Sequence, residues 1–81
     1  MIEVTLEELA SDVKEATINY WFYEEGDSVE EGEDLVEVIV EGNALKLAAP
    51  CSGILNEVYF TEGDSVSAGD VLCEIEENKE G

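Results

Sequence analysis

Few of the 81 side chains can do chemistry: Lys14, Lys46 and Lys79, the thiols of Cys51 and Cys73, some turn serines, and 22 acidic residues, with no histidine. Without an imidazole there is no ready general base, and Ser28, Ser52 and Ser65 have no partnered base to activate them. The carboxylates cluster on the surface rather than forming spaced catalytic pairs, so no enzyme is expected. A hard cation could collect on the Glu30-Glu31-x-Glu33-Asp34 run, but no calcium-loop pattern is present and no metal site is expected. Cys51 and Cys73 form no Cys-x-x-Cys pair and have no basic neighbour to lower a thiol pKa. They read as small buried hydrophobes rather than as a disulfide or redox pair. Asp27 and Asp64, each after a glycine, are expected to bond to their own turn backbone. What remains is lysine, whose amine could carry a cargo through an amide.

The formal charge of −19 opposes binding to nucleic acid or to an anionic membrane surface. It suits a basic protein partner, or simple solubility. Most of the charges are expected on outward positions and loops. No run approaches the roughly 18 apolar residues of a membrane span, and Met1 to Leu9 lacks the pattern of a secretory signal, so a cytoplasmic protein is expected. Short apolar runs recur between turn signals, as they do in a folded chain.

Any presented side chain must be held by the elements around it, and these are marked by a repeat. Glu25-Gly26-Asp27-Ser28-Val29 recurs as Glu62-Gly63-Asp64-Ser65-Val66, an offset of 37 residues. Gly32, Leu35 and Glu37 recur as Gly69, Leu72 and Glu74, Val38 becomes Ile75, and Asn19 recurs as Asn56. Two strand-turn-strand units, each too small to bury its own apolar face, should pack about a pseudo-twofold axis. Strands are expected at Ile2 to Thr5, Leu35 to Glu41, Ala44 to Ala48 and Val71 to Ile75. Two more should end in the aromatics Trp21-Phe22-Tyr23 and Val58-Tyr59-Phe60. Leu6 to Val13 reads as a loop with one helical turn, and Pro50 with Gly53 as a turn between the halves. Trp21 should be at least partly buried, against Val29, Leu35 or Leu72. The fold class is all-β: two antiparallel sheets forming a flattened barrel or sandwich over residues 1–76, with 77–81 a polar tail.

Met1-Ile2-Glu3-Val4, Leu9, Val13, Glu15, Thr17 and Trp21 lead into Glu25-Gly26-Asp27-x-Val29-x-x-Gly32-x-x-Leu35. Ala49-Pro50-Cys51-Ser52-Gly53 and Glu62-Gly63-Asp64-x-Val66-x-x-Gly69-x-x-Leu72 follow. This pattern resembles the lipoyl domain of dihydrolipoamide acyltransferases, within the biotinyl and lipoyl attachment family. The resemblance implies a swinging-arm carrier of 2-oxo acid dehydrogenase complexes, acylated by lipoate on the lysine of an Asp-Lys-Ala triplet at a hairpin tip. Counting from Glu25 forward or from Pro50 backward places that triplet on Glu41-Gly42-Asn43. The lysine position is then Gly42, which has no amine to acylate, so no lipoate cofactor is expected. All three positions differ from the triplet, which favours natural divergence over a deliberate blank. Gly42-Asn43 is good two-residue turn chemistry, so the hairpin should survive.

Lys46 is the only lysine near the hairpin, and Ala44-Leu45-Lys46-Leu47 faintly echoes the surroundings of a biotinyl lysine. Its register argues against attachment: it lies within a strand, outward between inward Leu45 and Leu47. The expected function is a non-acylated, lipoyl-like protein-interaction module. Its partner would be a component of the 2-oxo acid dehydrogenase type or another basic surface, docked through Glu24, Glu25, Glu30, Glu31, Glu33 and Glu41. The alternative is a working lipoyl or biotinyl carrier, using Lys46 or existing as an altered form that has lost its lysine.

Overall fold

A computed structural model describes residues 1–77. The elements run β1 (Ile2–Thr5), α1 (Leu6–Leu9), β2 (Glu15–Trp21), β3 (Ser28–Val29), β4 (Asp34–Val40), β5 (Asn43–Ala48), β6 (Gly53–Val58), β7 (Ser65–Ser67) and β8 (Val71–Glu77). They form two four-stranded sheets, ordered β1-β8-β6-β3 and β5-β4-β2-β7, in which every pairing is antiparallel. This is the two-sheet, all-β architecture expected from the repeat.

The repeat sets the topology strand for strand. β2, β3 and β4 of one half occupy the places of β6, β7 and β8 in the other, and β1 plays the part of β5, with Val4 standing where Leu47 stands. Each Gly-Asp turn hydrogen-bonds to the opposite half. Gly26 N donates to Leu55 O and Gly63 N to Ile18 O, both at 2.7 Å, and the return bonds run from Leu55 N to Asp27 O and Ile18 N to Asp64 O. Gly26 and Gly63 have φ of 96° and 93°, which an L side chain adopts only at a cost. The two aspartates act alike: Asp27 Oδ2 accepts from Glu24 N and Asp64 Oδ2 from Thr61 N, each at 2.8 Å. The repeated asparagines mark matching bulges, since the register slips at Asn19 in β2 and at Asn56 in β6.

Alternation along the strands sends Ala16, Ile18, Val36, Val38, Leu47, Val66 and Leu72 into one buried cluster together with Leu6. Val4, Val29, Leu35, Ala49, Leu55, Cys73 and Ile75 form a second. Trp21 packs against both clusters, and its Nε1 donates to Phe60 O at 2.9 Å, tying the first half to the second. The predicted helical turn is α1, capped by Thr5, whose Oγ1 accepts from Glu8 N.

Several sequence expectations are corrected. Phe22, Tyr23, Tyr59 and Phe60 lie just beyond their strands, which end at Trp21 and Val58; Tyr23 and Phe60 pack against the core clusters, whereas Phe22 and Tyr59 are exposed. Gly53 opens β6 rather than closing a turn. A Cβ at Gly53 would fall on the Glu76 backbone and lie 2.9 Å from Ile75 Cγ2, so this glycine permits a close strand approach. The short strands β3 and β7 were not foreseen, because two or three residues carry no readable alternation. Leu45 is 39% exposed although it lies on the core side, because β5 is an edge strand covered on one flank only. The polar tail expected at 77–81 begins inside β8, at Glu77, and its other residues lie outside the described ones.

Candidate functional site at the hairpin tip

The β4–β5 ladder closes at the Val40–Asn43 pair, leaving Glu41 and Gly42 as a two-residue loop. Their φ values are 50° and 83°, both positive as a type I′ turn requires. The loop therefore sits one residue earlier than the Gly42-Asn43 expected from sequence. That register keeps Val40 packed on the first core cluster and places Asn43 in the ladder. Asn43 braces the turn weakly, its Nδ2 donating to Glu41 O at 3.4 Å. A Cβ added at Gly42 would meet nothing within 4 Å, so a side chain there would project freely into solvent.

Every residue from Glu41 to Lys46 is exposed. Lys46 sits opposite Glu37 on the outer face of β5, as its alternation predicted. Asn19 reaches the same Glu37, with Nδ2 2.7 Å from Oε1. Beside the hairpin base an open groove of about 750 Å³ runs between residues 12–17, the end of β4 and β7. Its lining includes Val13, Ala16, Val40 and Val66, with Asp12, Lys14, Glu15 and Glu41 around them.

The groove changes the list of acids near the tip. Asp12 and Glu15 join Glu41 there, through a fold-back of the chain that no local pattern in the sequence announces. Glu30, Glu31 and Glu33 instead lie before the start of β4, the full length of a seven-residue strand from the turn, or roughly 20 Å. Glu25 is partly committed to structure, since its Oε2 accepts from Val58 N at 2.8 Å.

The thiols are poor nucleophiles. Burial, with smaller contributions from Cys51 and Glu74, pushes Cys73 up to about 12. Burial and then Glu77, Glu31 and Glu8 also raise Cys51. Both cysteines are free, and little thiolate forms at neutral pH when the pKa is raised. Among the described residues, no group of three or more acidic or cysteine side chains is placed to hold a metal ion.

The sequence profile of the biotin/lipoyl family, described as biotin-requiring enzyme, matches residues 2–75. The chain belongs to the biotin/lipoyl attachment family. The dihydrolipoyllysine-residue succinyltransferase component of the 2-oxoglutarate dehydrogenase complex from Bacillus subtilis is 41% identical over 58 residues, covering 72% of this chain and 14% of the relative. Its counterpart from Buchnera aphidicola is 30% identical over 78 residues, covering 96% of this chain and 20% of the relative. The family domain described here thus spans only a small part of those proteins. The solution structure of the lipoyl domain of the Azotobacter vinelandii 2-oxoglutarate dehydrogenase complex superposes with a TM-score of 0.77. It covers 98% of this chain and 100% of that one at 22% identity, a likeness of fold.

Proposed function

We propose that this domain is a non-acylated member of its family, a protein-interaction module related to the lipoyl domains of 2-oxo acid dehydrogenase complexes. One observation carries the reading: the two-residue turn at the hairpin tip is Glu41-Gly42, and it offers no amine. In this reading Glu41-Gly42-Asn43 occupies the place of the family's Asp-Lys-Ala. No lipoate is attached, and the domain acts as a docking surface rather than as an enzyme. Its partner is a basic surface, such as a dehydrogenase-complex component in the cytoplasm, met at the tip by Glu41, Asp12 and Glu15. Glu24, Glu30, Glu31 and Glu33 form a second acidic region at the far end of β4. The competing reading, a carrier modified on Lys46, draws on the exposure of that side chain. Against it, Lys46 lies in a strand and past the turn.

Mass spectrometry after incubation with lipoate, ATP and a lipoate ligase, and separately with a biotin ligase, tests the two readings. No added mass is expected. One lipoyl or biotinyl group mapped to Lys46 would replace the interaction reading with the carrier reading. The triple variant Glu41→Asp, Gly42→Lys, Asn43→Ala should become modifiable. If it stays folded yet unmodified, the domain has lost the ligase-recognition surface too, which places it further from the carriers.

A further inference from the structure

Among the described residues, β5 is the one long strand edge that carries no acid. It ends its sheet and pairs only with β4, and among the described residues no further backbone hydrogen bond reaches Asn43–Ala48. Its six residues exceed the four of β1, the two of β3 and the three of β7, which end the sheets elsewhere. In a two-residue hairpin the pair flanking the turn is hydrogen-bonded, so alternate residues turn their N–H and C=O groups outward. On β5 these are Ala44, Lys46 and Ala48. The stretch from Asn43 to Asn56 holds no acidic residue in a chain that has 22, whereas the matching edge strand β1 carries Glu3 directly opposite Glu74.

We propose that the free edge of β5 takes up an extended peptide segment by strand addition, and that the segment alternates apolar and acidic residues. The inner edge supplies the template. There β4 sets Val38 against Leu45, Glu37 against Lys46 and Val36 against Leu47. A strand on the outer edge meets the same three side chains: Leu45, 39% exposed, gains apolar cover, and Lys46 gains a carboxylate. Main-chain hydrogen bonds supply the affinity and the alternation supplies the selectivity. Lys46 also disfavours a second copy of this strand as the occupant, since a lysine in an edge strand resists self-pairing. The inference rests on the interaction-module reading but assigns a second surface, the acid-free β5 edge, separate from the acidic tip that meets a basic partner, and its test is independent of acylation.

The isotope-labelled chain at about 0.15 M salt, titrated with the capped peptide Val-Glu-Val-Glu-Val, should show saturable amide shifts over Asn43–Ala48. Lys46→Glu, an exposed substitution that leaves the core intact, should weaken this binding by about fivefold or more, because it turns an attractive cross-strand pair into a repulsive one. A peptide N-methylated at alternate amides should not bind. Val-Lys-Val-Lys-Val is the sharp control, since the net charge of −19 favours it at long range while the edge disfavours it. Tighter binding of the lysine peptide at this edge would overturn the proposal. So would equal binding of the N-methylated peptide, shifts confined to other strands, or concentration-dependent shifts at Asn43–Ala48 without peptide, which would make a second copy the occupant.

Discussion

Glu41 is the only non-glycine among the described residues with positive φ, and its Cβ makes that conformation costly by roughly 1–2 kcal/mol. Asparagine tolerates the region better and is favoured before glycine in type I′ turns. Glu41→Asn is therefore expected to stabilise the domain by roughly 0.5–1 kcal/mol, read as a higher urea midpoint with an unchanged slope. A lower midpoint would mean that the Glu41 carboxylate makes a contribution its geometry does not reveal. The same conformation bears on a lysine introduced at position 42. It would have open space around its Cβ but would inherit φ of 83°, so Gly42→Lys should leave the domain less stable than its parent.

At the level of elements, the two Gly-Asp turns are the same device used twice, and the sequence displayed both. Their aspartates accept from backbone N–H groups with matching geometry, Asp27 from Glu24 and Asp64 from Thr61. Asp27→Ala and Asp64→Ala should each cost about 1–2 kcal/mol, the loss of a charge-assisted bond to a turn. The two losses should be similar by thermal or urea unfolding. A cost confined to one of them would show that the halves bear unequal load. The 37-residue repeat made the two matched halves, their equivalent Gly-Asp turns and the pairing of Asn19 with Asn56 readable in advance, whereas the strand order and the bulges at those asparagines appear only in the fold. Three things escaped because they depend on neighbours distant in sequence. The loop carrying Asp12 folds beside Glu41, Gly53 is needed for the approach of Glu76, and Leu45 is left uncovered because β5 has no second neighbour. The turn register was missed by one residue because Gly42-Asn43 and Glu41-Gly42 are both acceptable turn chemistry, and only the packing of Val40 decides between them.

Over the whole molecule the charge is unevenly spread, and the pseudo-twofold shows where. The outer face of the β1-β8-β6-β3 sheet sets Glu3 and Glu57 on either side of Glu74 across adjacent strands, with Tyr59 Oη donating to Glu74 Oε2 at 2.6 Å. Like charges placed directly opposite are destabilising. The corresponding positions of the other sheet are Lys46, Tyr20 and Glu37, which avoid the conflict. With a net charge of −19, screening should stabilise the fold. Raising sodium chloride from about 0.01 M to about 0.3 M shortens the Debye length severalfold, and a gain of roughly 1 kcal/mol would lift Tm by about 4–8 °C. Glu3→Gln should shrink that rise, while a Tm that stays flat or falls with salt would show that the repulsion is not felt in the folded state. The equivalence of β1 with β5 also makes the end of β8 and the start of β1 the counterparts of the two strand ends at the hairpin. The order in which the strands are threaded is thus separable from how they pair: a circular permutant opened between Glu41 and Gly42, with a linker from the end of β8 to the start of β1, would retain each strand pairing.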